Sequence, residues 1–124
     1  MFFMNLGPGE SDGHVVISLH GELDLIEAAS VSAALATVTA RDRWIIVDLA
    51  GLEFIDAAGV AALSRGRRQA RDVGGDLLLV APRRQVQRVL SLIWDTDGFR
   101  VLVSVAAAAA SAGNRRSSAP QAPW

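Results

Sequence analysis

The chain contains no cysteine and no lysine, and it has two histidines. The absence of cysteine excludes disulfides, thiolate metal sites and cysteine nucleophiles, and it suits a reducing compartment. With no lysine, all twelve positive charges are arginine, which a GC-rich coding sequence explains as well as any function does. No segment approaches the roughly 20 apolar residues of a membrane helix. The apolar start, Met1–Leu6, is far too short to span a bilayer and lacks the positive n-region of a signal peptide. A cytoplasmic protein without membrane contact is therefore expected. A net charge of −1 provides no overall field to draw the chain onto nucleic acid or an acidic membrane. A phosphate-cradling loop is also missing, because Gly7, Gly9 and Gly13 do not lead from a strand into a helix.

What is present is a hydrophobic fraction of 51% in 124 residues, enough for one core between a sheet and helices. Phe2–Leu6 predicts a short edge strand, and the turn formers of Gly7–Gly13 predict a hairpin into a second strand over His14–Gly21. In that strand Val15, Ile17 and Leu19 face one way while Val16, Ser18 and His20 face the other. Leu25–Ala40 predicts a helix capped by Asp24, with a stripe of Leu25, Ala28, Ala29, Val31, Leu35 and Val38. Trp44–Leu49 is a continuous apolar run suited to a central strand, followed by a connector over Ala50–Ile55.

Asp56 is placed to cap a helix over Ala57–Val73, with Val60, Leu63, Gly66, Ala70 and Val73 at helical spacing. Gly66 costs that helix about 1 kcal/mol, which a close approach to the sheet explains. Gly74-Gly75 ends it and Asp76–Val80 forms a further buried strand. Pro82 opens a third helix over Arg83–Leu92, with Val86, Val89, Leu90 and Ile93 inward. Phe99–Val103 makes a last strand, and Ser104 caps a short helix through Ala106–Ala110. The expected fold is α/β: a mixed, mostly parallel sheet with one antiparallel edge strand and about four helices. Residues 1–111 form the single domain, and 112–124, rich in Ser, Ala, Pro, Gln and Arg, a flexible tail.

Candidates for chemistry are few. His14 and His20 face the same side of one strand but lie roughly 20 Å apart, too far to share a metal. Neither metal nor cofactor is expected. Asp24 and Asp56 should fall on the same sheet edge, each at a strand-to-helix junction, where capping alone accounts for both. Arg65, Arg67, Arg68 and Arg71 cluster on the second helix without the aromatic partners that nucleic-acid binding calls for. They read as a solvated face, part of which can meet an acidic partner.

One segment carries a resemblance. Val47-Asp48-Leu49-Ala50-Gly51-Leu52-Glu53-Phe54-Ile55-Asp56-Ala57-Ala58-Gly59-Val60-Ala61-Ala62-Leu63 strongly resembles the signature of STAS domains, the family of bacterial anti-anti-sigma factors. Gly21–Asp24, Gly74–Pro82 and Val86–Leu92 resemble, in order, the family's strand-to-helix element, its Gly-Gly strand and the helix after it. The likeness covers roughly residues 14–105. It implies a non-enzymatic cytoplasmic regulator of transcription that binds a kinase-like anti-sigma factor and so releases a sigma factor. In the family, the residue after the signature aspartate is usually a serine or threonine that the partner phosphorylates, and the modified form does not bind. Here that position is Ala57, followed by Ala58, so the resemblance supports binding and withdraws the covalent off-switch.

Ser64 is a conceivable substitute acceptor but reads as an ordinary exposed serine. The implied partner surface comprises Asp24, Leu25, Phe54, Ile55, Asp56, Ala57, Ala58, Gly59, Val60 and Leu63, with Phe54 and Leu63 equally readable as core. A ligand-sensing or scaffold STAS module in a larger signalling complex is the competing reading. A hydrolase using Asp24 and Asp56 ranks last, since no nucleophile accompanies them. The apolar edge strand at Phe2–Leu6 also offers a route to a weak homodimer.

Overall fold

A computed structural model of the chain describes residues 1–8, 14–42, 44–93 and 98–118, with side chains described to residue 111 but not at Pro8. The elements follow the order β1 (Phe3–Pro8), β2 (His14–Leu23), α1 (Leu25–Thr39), β3 (Trp44–Ile55), α2 (Ala57–Asp72), β4 (Asp76–Val80), α3 (Arg84–Ile93), β5 (Arg100–Leu102) and α4 (Val105–Ser118). The sheet runs β1-β2-β3-β4-β5. β1 pairs antiparallel with β2, and the other three pairs are parallel. The mixed sheet with an antiparallel edge strand and four helices is the architecture that the hydrophobic patterning predicts.

Each crossover moves the chain one strand in the same direction. With the usual handedness of such connections, α1, α2 and α3 must then share one face of the sheet. Their buried side chains join Val15, Ile17, Leu19, Ile45, Val47, Leu49, Leu77 and Leu79 in the main core. The alternate residues Ile46, Leu78 and Val80 face the other way and pack with Ala108 of α4. Two covered faces explain why β3 and β4 read as unbroken apolar runs.

Several expectations are corrected. Ala50–Ile55 is not a connector but the second half of β3, which stays paired with β2 out to Leu23↔Ile55 through two register shifts. Leu52 and Ile55 point into the core there, so two large apolar residues in an apparent loop are strand residues. In α1, Ala28, Val31, Leu35 and Val38 are buried, whereas Leu25 is 73% exposed and Ala29 is exposed. Val73 and Ile93 also lie at the surface. Arg67 is not part of a solvated face: it is buried, and its Nε donates to Asp76 Oδ1 at 3.0 Å while Nη1 donates to the Gly98 carbonyl. α4 continues to Ser118, past the start of the expected tail, with Ser104 Oγ accepting from the Ala107 N–H at 3.1 Å. Of the expected turn over Gly7–Gly13, Gly7 and Pro8 instead end β1, and residues 9–13, like 119–124, lie outside the described residues.

Gly74 takes a φ of 88° and ends α2, as its sequence position requires. Gly66 has a different reason from the one expected. A Cβ there would stand 2.6 Å from Leu35 Cδ1 and 3.2 Å from Leu35 Cβ, so the close approach is to α1, not to the sheet. Gly66→Ala gains about 1 kcal/mol of helix propensity but must displace a fully packed leucine, at about 1–3 kcal/mol. Net destabilisation of about 1 kcal/mol is expected in urea denaturation. In a Leu35→Ala background, itself about 2–5 kcal/mol less stable, Gly66→Ala should instead stabilise. An equal effect in both backgrounds would exclude Leu35 as the constraint.

Candidate functional site

The C-terminal ends of β2 and β3 place two helix starts side by side. Leu23 pairs with Ile55, and the Asp56 N–H donates to the Leu23 carbonyl at 3.2 Å. The next residues on the two strands, Asp24 and Asp56, are the N-caps of α1 and α2. Asp24 Oδ1 accepts from the N–H groups of Ile26 and Glu27 at 3.1 and 3.3 Å. Asp56 Oδ1 accepts from the Gly59 N–H at 3.0 Å. The two acids therefore do fall on one edge of the sheet, and both are engaged as caps, which satisfies otherwise orphaned helix donors.

The ten residues singled out from the sequence divide by burial. Leu25, Phe54 and Ala57 are exposed, and Asp24, Asp56 and Ala58 are half-buried. Ile55, Gly59, Val60 and Leu63 are buried and form the floor under this corner. Gly59 belongs to that floor because a Cβ there would meet Ile55 Cγ1 at 2.7 Å and Leu23 Cγ at 2.9 Å. Its absence lets the first turn of α2 settle directly on the strand ends. Phe54 is surface rather than core, and Leu63 is core.

Beyond the first turn, α2 presents an exposed ridge of Ala57, Ala61, Arg65 and Arg68. A groove of about 430 Å³ separates this ridge from α1, floored by Ala28, Ala58 and Ala62 and bordered by Leu25 and Ala29. Arg65 closes its far end, where Nη1 donates to Ser32 Oγ at 2.9 Å. A smaller hollow of about 230 Å³ flanks the ridge on the α3 side, with Ser64 half-buried between Arg68 and Ile93. Arg65 is exposed, as the reading of a solvated arginine face expects, whereas Ile26, 80% exposed beside Leu25, is a surface feature that sequence reasoning passed over. The signal for Ile26 was available: it falls off the apolar stripe of α1 yet is large and apolar.

The histidines do not contribute to this corner. His14 is buried at the opposite end of β2, and His20 stacks on Phe3 with ring centroids 4.4 Å apart. Among the described residues there is no group of His, Asp or Glu placed to hold a metal ion, and no helix is long and apolar enough to cross a membrane.

Comparison with known proteins agrees with the fold. A family model described as "Mlab, STAS domain" matches residues 6–94. The curated protein BtrV of Bordetella bronchiseptica, provisionally named an anti-sigma factor antagonist, is 30% identical over 109 residues, covering 87% of this chain and 94% of that one. An anti-sigma factor antagonist from Mycobacterium paratuberculosis superimposes with a TM-score of 0.78 at 21% identity, over 91% of this chain and 95% of the other. The anti-sigma factor antagonist SpoIIAA, a Bacillus cell fate determinant, gives 0.75 at 24% identity in its unphosphorylated form, over 90% and 97%. At these identities the two structures establish the fold.

If capping is what holds the two acids in place, Asp56→Asn should change stability by no more than a few tenths of a kcal/mol, because asparagine accepts the same bond. Asp56→Ala should cost about 1 kcal/mol. Chemical denaturation of the two variants measures the difference, and equal losses would mean that the carboxylate charge, not the cap, is what matters.

Proposed function

This chain belongs to the STAS domain family, and from that membership we propose that it is an anti-sigma factor antagonist. It works by binding rather than catalysis, in the cytoplasm, capturing a kinase-like anti-sigma factor and so releasing a sigma factor to transcription. The contact is the corner where α1 and α2 start. The observation that carries this reading is Ala57: the first residue of α2, exposed, and free of any hydroxyl. A phosphate there would add a charge of about −1.5 to −2. It would stand beside the Asp56 cap, one strand from Asp24, on a surface otherwise made of small and apolar groups. Docking of a partner shaped for the neutral surface would then be opposed by repulsion and by desolvation. Alanine accepts no phosphate, so the face stays open, and control passes to the abundance of the antagonist or of its partner.

The apolar rim supports an interface as well. Leu25, Ile26 and Phe54 are large, exposed and gathered at the same end of the sheet, whereas isolated apolar residues scattered over a surface carry no such meaning. Small residues at Ala57, Ala58 and Ala61 let a partner backbone approach closely.

The test is calorimetric titration of the chain against each anti-sigma factor of its host, expressed singly. Wild type and Ala57→Ser should bind one of them alike, and only Ala57→Ser should gain phosphate when that partner and ATP are present. Ala57→Asp should weaken binding about tenfold or more, that is by about 1.4 kcal/mol. Equal affinity for all three would remove Ala57 from the contact, and no binding to any anti-sigma factor would overturn the function.

A further inference from the structure

The groove between α1 and α2 has a shape and a charge pattern that specify what can lie in it. Its floor is alanine, so nothing beyond a Cβ fills about 430 Å³ of open space between the helices. Along α2 it extends from Ala58 to Arg65, about 10 Å at 1.5 Å per residue, the length of two helical turns. One end is apolar, with Leu25 at its border and Ile26 beside it, 73% and 80% exposed. The other end is basic. Arg65 is held across the groove by its bond to Ser32 Oγ, and a guanidinium with one donor so engaged keeps others for a carboxylate. Arg68, one turn on and exposed, lies on the α3 side of the ridge and adds positive charge near this end without lining the groove. α2 carries no acidic residue before Asp72 to neutralise them.

Resting on the reading that this corner binds an anti-sigma factor, we infer that the contact is a helix of that partner laid along the α1–α2 groove. Bulky apolar side chains one turn apart seat between the helices near Leu25. A carboxylate one further turn along meets Arg65, with the charge of Arg68 nearby on the ridge. A helix suits the groove because its walls are two helices and its length matches i, i+4 anchors. The carboxylate suits the far end because a pre-oriented guanidinium pairs with it in two parallel bonds. The apolar anchors set the lifetime of the complex, and the arginines set its encounter rate and salt dependence.

Two variants test this without touching Ala57 or the caps. Ala29→Trp, at an exposed position on the groove wall, plugs the space. Arg65→Glu with Arg68→Glu reverses the charge. Circular dichroism should show both folded. Against the anti-sigma factor that the wild type binds, each should raise Kd about tenfold or more. The charge variant should also slow association and flatten its dependence on salt. Unchanged affinity in both, while Ala57→Asp still weakens binding, would overturn the groove and leave the antagonist reading standing.

If no anti-sigma factor binds, a probe stands in for the partner: a synthetic helical peptide with leucines at i and i+4 and glutamates at i+7 and i+8. Its control carries lysines for the glutamates. With 15N-labelled chain, shifts centred on Ala29, Ala61 and Arg65 for the acidic peptide alone would support the groove even though the antagonist reading had failed. No shifts at millimolar peptide, or equal shifts with the lysine control, would overturn it.

Discussion

The candidate surface depends on how closely α2 lies against the strand ends beneath it and against α1 beside it. Gly59 and Gly66 set that distance. Without a Cβ at Gly59, the first turn rests on Leu23 and Ile55, and the Asp56 cap and the strand pair Leu23↔Ile55 become one rigid joint. Without a Cβ at Gly66, Leu35 of α1 reaches the backbone of α2. Between the two helix starts and this contact the groove stays open, floored by alanine because larger residues would fill it. Close packing of this kind resists small adjustments. The ridge of Ala57, Ala61 and Arg65 is therefore held by the core and does not have to be ordered by a partner, which lowers the conformational cost of binding.

Electrostatically, the same corner is quieter than its formula reads. Asp24 and Asp56 spend their side-chain oxygens on the orphan N–H groups of the two helix starts, and negative charge is favoured at that end of a helix. The positive charge of α2 is divided. Arg67 turns inward to Asp76 and Gly98, tying the far end of α2 to the start of β4, while Arg65 and Arg68 stay at the surface. Three arginines close together in sequence thus serve two separate purposes, one internal and one facing outward.

The fold was legible where one residue type meets one requirement. Period-two alternation in His14–Gly21, the continuous run at Trp44–Leu49, the caps at Asp24 and Asp56 and the stop at Gly74 all report local backbone demands, and each stands where it was expected. Tertiary facts were not legible. Ala50-Gly51 reads as a break, yet β3 continues through it, fitting one extra residue against β2 at each of two register shifts and keeping the pairing. Gly66 announced a close approach but not which neighbour approached. Arg67 differs from Arg65 and Arg68 only in facing Asp76, a residue nine positions away across a turn. Leu25 fits a helical stripe by spacing, but as the first residue of α1 it stands in solvent. At the site itself, the caps and the hydroxyl-free Ala57 could be read directly from the chain. The groove could not, since it is a property of two helices together.

In the proposed binding mode, the division of labour on this surface also bears on specificity. An alanine ridge makes contact with almost any partner helix and discriminates among few of them. Discrimination must come from what borders the ridge, namely Leu25, Ile26 and Phe54 at one end and Arg65 at the other. A partner lacking a carboxylate opposite Arg65 leaves a guanidinium desolvated without compensation. That penalises wrong partners more than it rewards the right one. With no phosphate to close the proposed face, such an antagonist is governed by abundance and by which partner it fits. The groove ends, rather than the helix start, then carry the information that the missing hydroxyl cannot.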